Sequence, residues 1–281
     1  MATYFITGAT GSVGKELVEA LLAQNQTVIA ATRHPEKAQE LFGERVQAVA
    51  FDFADESTYA QALKSDGIFL LGPPLNPALF SLLTPFVDYL DAQKAPKVVY
   101  LSGNGMEDLP ALPFHGQMEE KLQQSSLDWY VVRPSFFMQN FGNYERENIE
   151  ARSIVFVPAG EGKTAFISTK DIGAATAALL QLEQPKKRTY VLTGGALYDH
   201  FDAAQQLTTT LGKTVNYANP DNNTYRQVLK EAQAPDFIAD YMIPIYGLIK
   251  EGKVATISSD VQALTGQAPE SLAAVLSRDF S

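Results

Sequence analysis

Three glycines near the start of the chain stand at intervals of three residues, a spacing suited to binding phosphate groups. Gly8, Gly11 and Gly14 follow a run of β-formers at 3–7 and precede apolar residues at helical spacing. Glycine lets the chain reverse after the strand and lets the backbone approach a pyrophosphate closely. The following helix directs its free N–H groups and its positive dipole end at the phosphates. The sequence therefore predicts a dinucleotide site in this turn, formed by Gly8, Thr10, Gly11, Ser12, Val13 and Gly14.

A basic residue follows the second predicted strand, 27–32, at the position where an NAD site carries an acid for the ribose 2′-hydroxyl. Arg33 stands there, Lys37 follows one helical turn later, and positions 31–34 contain no Asp or Glu. A guanidinium offers a planar pair of donors that suits a 2′-phosphate. We therefore predict NADP(H) as the cofactor; the alternative is that Arg33 is an ordinary solvated arginine.

The composition of the chain narrows the possible functions. Its 281 residues carry a formal net charge of −10 and include no cysteine. A negative chain without a basic tract is a poor partner for nucleic acid. The absence of cysteine excludes disulfides and thiolate metal sites, and the histidines are not clustered, so we expect no metal. We see no signal peptide or membrane-spanning run and expect a cytoplasmic monomer or homodimer.

Strands and helices alternate regularly over the first two thirds of the chain. This order predicts right-handed crossovers and a doubly wound parallel sheet, with the cofactor across the carboxyl ends of its strands. We expect a Rossmann domain formed by 1–135 and 168–195, and a smaller, mostly helical C-terminal substrate lobe formed by 136–167 and 196–281. The predicted strands are 3–7, 27–32, 46–51, 67–71, 97–102, 127–133 and 189–192.

Two motifs resemble those of one known family, and the resemblance extends over nearly the whole chain. T-G-A-T-G-S-V-G at 7–14 is similar to the signature of the atypical short-chain dehydrogenase/reductases, and W-Y-V-V-R-P-S-F-F-M-Q-N-F at 129–141 resembles the strand and loop of their NmrA-like branch. That branch includes NADPH:quinone reductases, triphenylmethane dye reductases and redox sensors without catalytic activity. The resemblance also favours NADP(H), because R-x-P-x-K-A, here 33–38, is common in the family.

The resemblance implies further cofactor contacts. Asp52, followed by Phe53, corresponds to the residue that bonds the adenine amino group, and we assign the neighbouring Asp55 to capping the next helix. Gly72, Pro73 and Pro74 place bare backbone over the pyrophosphate and ribose, or simply end the fourth strand. Near the nicotinamide, the resemblance implies Ser102, Lys121, Pro134, Ser135 and Phe136.

The catalytic tyrosine of conventional short-chain dehydrogenases is absent. With Lys121 taken as the lysine that binds the nicotinamide ribose, the residue four positions earlier is Gln117, and an amide is not an acid. The alternative for Lys121 is an exposed helix lysine. His115 is the one nearby group with a suitable intrinsic pKa, so it is a candidate proton relay, or else a surface histidine.

Aromatic side chains predict a flat substrate. Phe136, Phe137 and Phe141 follow the sixth strand, and Tyr241 and Tyr246 lie in the most apolar helix pattern of the second lobe. Such rings contact flat aromatic ligands well, although they also form ordinary core.

We therefore expect an NADPH-dependent reductase that transfers hydride to a flat, electron-poor acceptor, a quinone or dye, without a Ser-Tyr-Lys triad. The alternatives are an NADP(H)-binding redox sensor without turnover, and an isomerase or reductase of a larger aromatic metabolite.

Overall fold

The computed structural model describes residues 1–183 and 187–280. The described chain forms two compact units. The first comprises residues 1–103, 113–133 and 169–190, and the second comprises 104–112, 134–168 and 191–281. The segments 104–112 and 191–195 belong to the second unit, although the sequence predicts both within the first domain.

A seven-stranded sheet in the order β3-β2-β1-β4-β5-β6-β8 confirms the predicted doubly wound Rossmann fold. Every pairing from β3 across to β6 is parallel. The strands of this sheet are β1 Thr3–Thr7, β2 Thr27–Thr32, β3 Gln47–Ala50, β4 Gly67–Leu70, β5 Lys97–Leu101, β6 Trp129–Pro134 and β8 Arg188–Leu192. In the second unit, β7 Ile154–Val155 pairs with β9 Asn216–Tyr217.

Helices connect the strands and form most of the second unit. They are α1 Ser12–Ala23, α2 Pro35–Phe42, α3 Leu79–Ala92, α4 Phe114–Gln124, α5 Asn140–Asn143, α6 Thr169–Gln181, α7 His200–Leu211, α8 Asn222–Glu231, α9 Phe237–Lys250, α10 Asp260–Thr265 and α11 Leu272–Asp279. Two 3₁₀ segments, Gly43–Arg45 and Glu56–Lys64, and a π-helical turn, Asn148–Arg152, complete the described elements. None of the helices in the described residues has both the length and the apolar character needed to cross a membrane.

The core of the first unit follows from continuous apolar strands. All four residues of β4 are buried, and in β1 only Thr3 is not, as expected when helices cover both faces of a parallel sheet. Helix α1 packs closely on α6, where a Cβ added at Gly173 would lie 2.7 Å from the backbone carbon of Glu16. This packing fixes the start of α1, and therefore the glycine turn before it.

Candidate cofactor and substrate sites

The glycine turn has the geometry that phosphate binding requires. Gly8 adopts φ +63°, a left-handed conformation that favours glycine, and its carbonyl accepts a 2.9 Å hydrogen bond from the Gly11 N–H. Gly8, Gly11 and Ser12 are exposed. The turn therefore presents backbone, rather than side chains, to a ligand.

Gly14 is the position where a side chain is least tolerated. A Cβ there would lie 2.1 Å from the Gly8 carbonyl oxygen, whereas one at Gly11 would lie 3.3 Å from the same atom. Helix α1 begins at Ser12 without a side-chain cap and without an acid in its first turn. The positive end of its dipole is thus available to an anion.

The side chain of Thr7 joins this turn to the neighbouring strand. Its hydroxyl oxygen accepts a hydrogen bond from the Leu71 N–H (2.7 Å) and lies 3.0 Å from the carbonyls of Phe69 and Leu71. Gly72 follows directly, and a Cβ there would meet Leu79 at 2.3 Å. Gly72, Pro73 and Pro74 therefore leave β4 beside the glycine turn, at the carboxyl end of the sheet, and their contact with the cofactor stays a prediction.

Arg33 and Lys37 are both exposed, at the end of β2 and in the first turn of α2. Within residues 1–183 and 187–280, neither side chain forms an ion pair or a hydrogen bond. The neighbouring His34, by contrast, pairs with Glu36 at 3.2 Å. Two cations without partners at this strand end are the arrangement that a 2′-phosphate site would need.

Asp55, which follows β3, caps the next helical segment as predicted. Its carboxylate accepts hydrogen bonds from the N–H and hydroxyl of Ser57 at 3.0 and 2.7 Å, so it caps the 3₁₀ segment. Asp52 Oδ1 accepts a bond from the Ala54 N–H at 2.9 Å, and Phe53 packs edge-on against Phe51. The adenine contact of Asp52 and Phe53 stays a prediction.

Ser102 lies at the end of β5 in a buried polar cluster that the sequence analysis missed. Its hydroxyl donates to Glu119 Oε1 at 2.5 Å, and the Arg133 guanidinium binds both oxygens of the same carboxylate. Glu119 is only 2% exposed. Because the Ser102 proton is directed to Glu119, the hydroxyl oxygen has only its lone pairs for a further partner.

The structure corrects the grouping of Lys121 with Ser102. The Lys121 ammonium lies 2.5 Å from Asp88 Oδ1 of α3, in a shallow cavity that Asp91 also lines. Residues 119 and 121 are about 200° apart around an α-helix. Since Glu119 faces Ser102, Lys121 points away from it, and the two do not form one site. Gln117 is exposed on the same helix.

His115 lies in the first turn of α4, with Nδ1 2.7 Å from the hydroxyl of the buried Tyr100. Burial lowers the pKa of His115 to about 4. The imidazole is therefore neutral near pH 7, and a neutral ring is a weak source of protons.

The segment after β6 begins with buried polar contacts. Pro134 and Ser135 are buried, and the Ser135 hydroxyl lies 2.8 Å from that of Thr164. Phe136 stacks on Tyr246 of α9, with ring centroids 6.0 Å apart. The nicotinamide contact of these three residues stays a prediction.

An aromatic cavity opens within the second unit. Its empty volume is about 290 Å³, open solvent included, and it has room for about one water molecule. Its walls include three predicted substrate residues, Phe137, Phe141 and Tyr246. Tyr241 is buried elsewhere in the unit and does not line the cavity. The lining residues are Phe136, Phe137, Asn140, Phe141, Glu145, Val157, Phe166, His200 and Tyr246.

Two ionisable groups of this cavity were not predicted. Burial raises the pKa of Glu145, although its carboxylate accepts hydrogen bonds from the Phe156 N–H and the Asn148 amide. Burial lowers the pKa of His200 to about 4. The sequence gives no sign that either residue belongs to a site. Glu145 and His200 lie in different segments, which meet at the cavity only in the folded unit. Among the described residues, no cluster of His, Asp and Glu is suited to hold a metal ion.

The chain is similar to several known proteins. A model of a family described as NAD(P)H-binding matches residues 8–183. The NAD(P)H azoreductase of Xenophilus azovorans is 27% identical over 93% of this chain and 92% of its own length. The prestalk A differentiation protein A of Dictyostelium discoideum is 27% identical over 98% of this chain and 92% of its own length. The structure of an NADPH-dependent quinone oxidoreductase from Escherichia coli, solved with NADPH, has a TM-score of 0.89 at 24% identity, covering 99% of this chain and all of its own.

Proposed function

The chain belongs to the NAD(P)H-binding family, and we propose that it is an NADPH-dependent reductase that transfers hydride to a flat, electron-poor acceptor such as a quinone or dye. The observation that carries this proposal is the cofactor surface of the first unit. An uncapped helix start lies behind a glycine turn, and two exposed cations without partners stand at the end of the next strand. This surface suits a pyrophosphate and a 2′-phosphate.

The proposed class of acceptor is inferred from the cavity in the second unit. Its cavity is lined mainly by aromatic side chains with a few polar groups, a composition typical of small-molecule sites. The names of the azoreductase and quinone oxidoreductase relatives support the same class of acceptor.

Hydride transfer to such an acceptor needs little acid catalysis. In a quinone, the reduced oxygen is stabilised by conjugation and can take its proton from water after the hydride has been transferred. This chemistry tolerates Gln117 in place of a tyrosine, a Ser102 proton held by Glu119, and a neutral His115.

The proposal is tested by following NADPH absorbance with a panel of quinones, azo compounds and triphenylmethane dyes. We expect steady oxidation of NADPH with at least one acceptor, and slower oxidation of NADH. Absence of turnover across the panel, in a protein that binds NADPH, would overturn the catalytic proposal.

That last outcome would favour the second candidate, an NADP(H)-binding redox sensor that regulates a partner without turnover. Two observations motivate it. No tyrosine occupies the usual proton-donor position, and one relative of nearly full length is named for a role in differentiation rather than for a reaction.

A further inference from the structure

The aromatic cavity of the second unit contains a buried polar side chain whose hydrogen-bonding capacity is unused. His200 is 3% exposed, and its Nδ1 is buried without a partner. Neither ring nitrogen of His200 forms a hydrogen bond with any residue that the structure describes. Since about nine in ten buried polar groups in proteins are paired, this imidazole is suited to a partner from outside the chain.

Rings hold the imidazole in place on several sides. Phe166 meets it edge-on at a centroid distance of 5.4 Å, Tyr217 lies at 5.2 Å, and Phe141 lies at 6.0 Å. All three belong to segments distant in sequence from one another. The position of His200 is therefore set by packing, which is the condition for a selective polar contact.

The space beside His200 also limits what can reach it. The cavity that His200 lines together with Phe136 and Phe137 has room for about one water molecule. A whole ring does not fit beside the imidazole without movement of its neighbours. A single oxygen substituent does.

We propose that His200 is the hydrogen-bonding anchor for a flat, uncharged aromatic ligand that carries a hydroxyl or carbonyl oxygen. The oxygen enters beside His200, and the ring lies against the surrounding aromatic side chains. A neutral imidazole has one donor and one acceptor nitrogen, so it can bind the carbonyl of an oxidised ring or the hydroxyl of a reduced one. The inference rests on the proposed function in one respect: it takes this ligand to be the electron acceptor or its product.

Binding of 1-naphthol and naphthalene, measured by equilibrium dialysis without NADPH, tests the anchor directly. We expect wild-type protein to bind 1-naphthol at least about tenfold more tightly than naphthalene, the gain expected from one well-placed buried hydrogen bond. His200→Phe keeps an aromatic ring and should remove this difference. His34→Phe, which changes an exposed histidine of the first unit, should leave it intact.

A second measurement keeps the inference testable if His200→Phe does not fold. The chain has three histidines, so ¹⁵N-histidine labelling gives a simple spectrum. We expect 1-naphthol to move the ring-nitrogen resonances of His200 as hydrogen bonding does, and naphthalene to leave them nearly unchanged. Equal affinities for the two compounds in wild type, or His200 resonances that do not respond to 1-naphthol, would overturn the inference.

These outcomes are separate from those of the turnover assay. If no acceptor is reduced but 1-naphthol binds through His200, the proposed function fails and the anchor stands. If quinones are reduced while His200→Phe leaves the difference in binding unchanged, the anchor is wrong and the proposed function stands.

Discussion

We propose that the glycine turn of the first unit binds the cofactor and that the aromatic cavity of the second unit binds the acceptor. The two sites are nevertheless built in opposite ways. The turn is continuous in sequence, exposed, and made of backbone whose N–H groups have no side-chain cap. The cavity is assembled from several separate segments and is lined by packed rings around a buried imidazole.

This difference follows from what each surface recognises. A phosphate is recognised by local backbone geometry and charge, which a short motif can encode. A flat acceptor is recognised by shape and by one or two polar contacts, which need side chains from different elements. The first kind of site can be read from a sequence, whereas for the second the sequence indicated only some of the rings, Phe137, Phe141 and Tyr246, and not their assembly.

The largest effect is expected at Glu119, which supports the first unit from within. Glu119→Ala leaves the Arg133 guanidinium and the Ser102 hydroxyl without their common partner. Removing one member of a buried ion pair costs about 3–5 kcal/mol of the free energy of unfolding. Urea denaturation of wild type and Glu119→Ala measures this loss in the free energy of unfolding. Glu120→Ala, at the exposed neighbouring position, should cost less than about 0.5 kcal/mol. A small loss at Glu119 would mean that the cluster contributes little.

The glycine turn itself is tested by a pair of matched substitutions. Gly14→Ala places a Cβ 2.1 Å from the Gly8 carbonyl oxygen, and that backbone atom can move only if the turn changes. We expect a loss of about 1–3 kcal/mol in stability, together with weakened NADPH binding. Gly11→Ala, with 3.3 Å to the same oxygen, should be much milder. Thermal denaturation and calorimetric titration separate the two, and equal effects would contradict the described geometry.

In the second unit, the buried imidazole should make stability depend on pH. The pKa of His200 is lowered from 6.5 to about 4 in the folded state, so on acidification the unfolded state binds a proton first. Its contribution is complete above pH 6.5 and is lost as the pH falls toward 4. Between pH 7 and pH 5, wild type should lose about 2 kcal/mol relative to His200→Phe. Parallel pH profiles of the two proteins would show that His200 is not buried as described.

The smallest effect is expected at His115. Because this ring is neutral near pH 7, His115→Ala should lower kcat on a quinone by less than about tenfold, whereas loss of a general acid costs about 10²–10⁴-fold. The pH profile of kcat for both proteins measures it, with His34→Ala as the control. A hundredfold drop, with the acidic limb of the profile removed, would make His115 the catalytic acid.

The sequence was most informative where one segment determines both structure and chemistry. The strand–glycine–helix order placed the turn, and the alternation of elements led to the observed sheet. Lys121 was placed wrongly because a spacing of four residues from Gln117 does not show which face of α4 meets β5. Glu119 was overlooked because a helix glutamate is usually solvated. Its position beside Met118, in a stripe with His115 and Leu122, was the available signal.

His200 and Glu145 could not have been found in this way. Nothing near His200 in the sequence indicates that rings from three other segments surround it, since that arrangement exists only once the second unit has packed. Tyr241, by contrast, was included for its aromatic character alone, although the structure buries it away from the cavity.

We infer that the first unit selects NADPH through Arg33. Calorimetric titration of wild type and Arg33→Ala with NADPH and NADH tests it most directly. Losing a charge-assisted contact to the 2′-phosphate should weaken NADPH by roughly tenfold to a hundredfold and leave NADH almost unchanged. Equal losses for both cofactors, or a wild-type protein that binds NADH as tightly as NADPH, would contradict selection by Arg33.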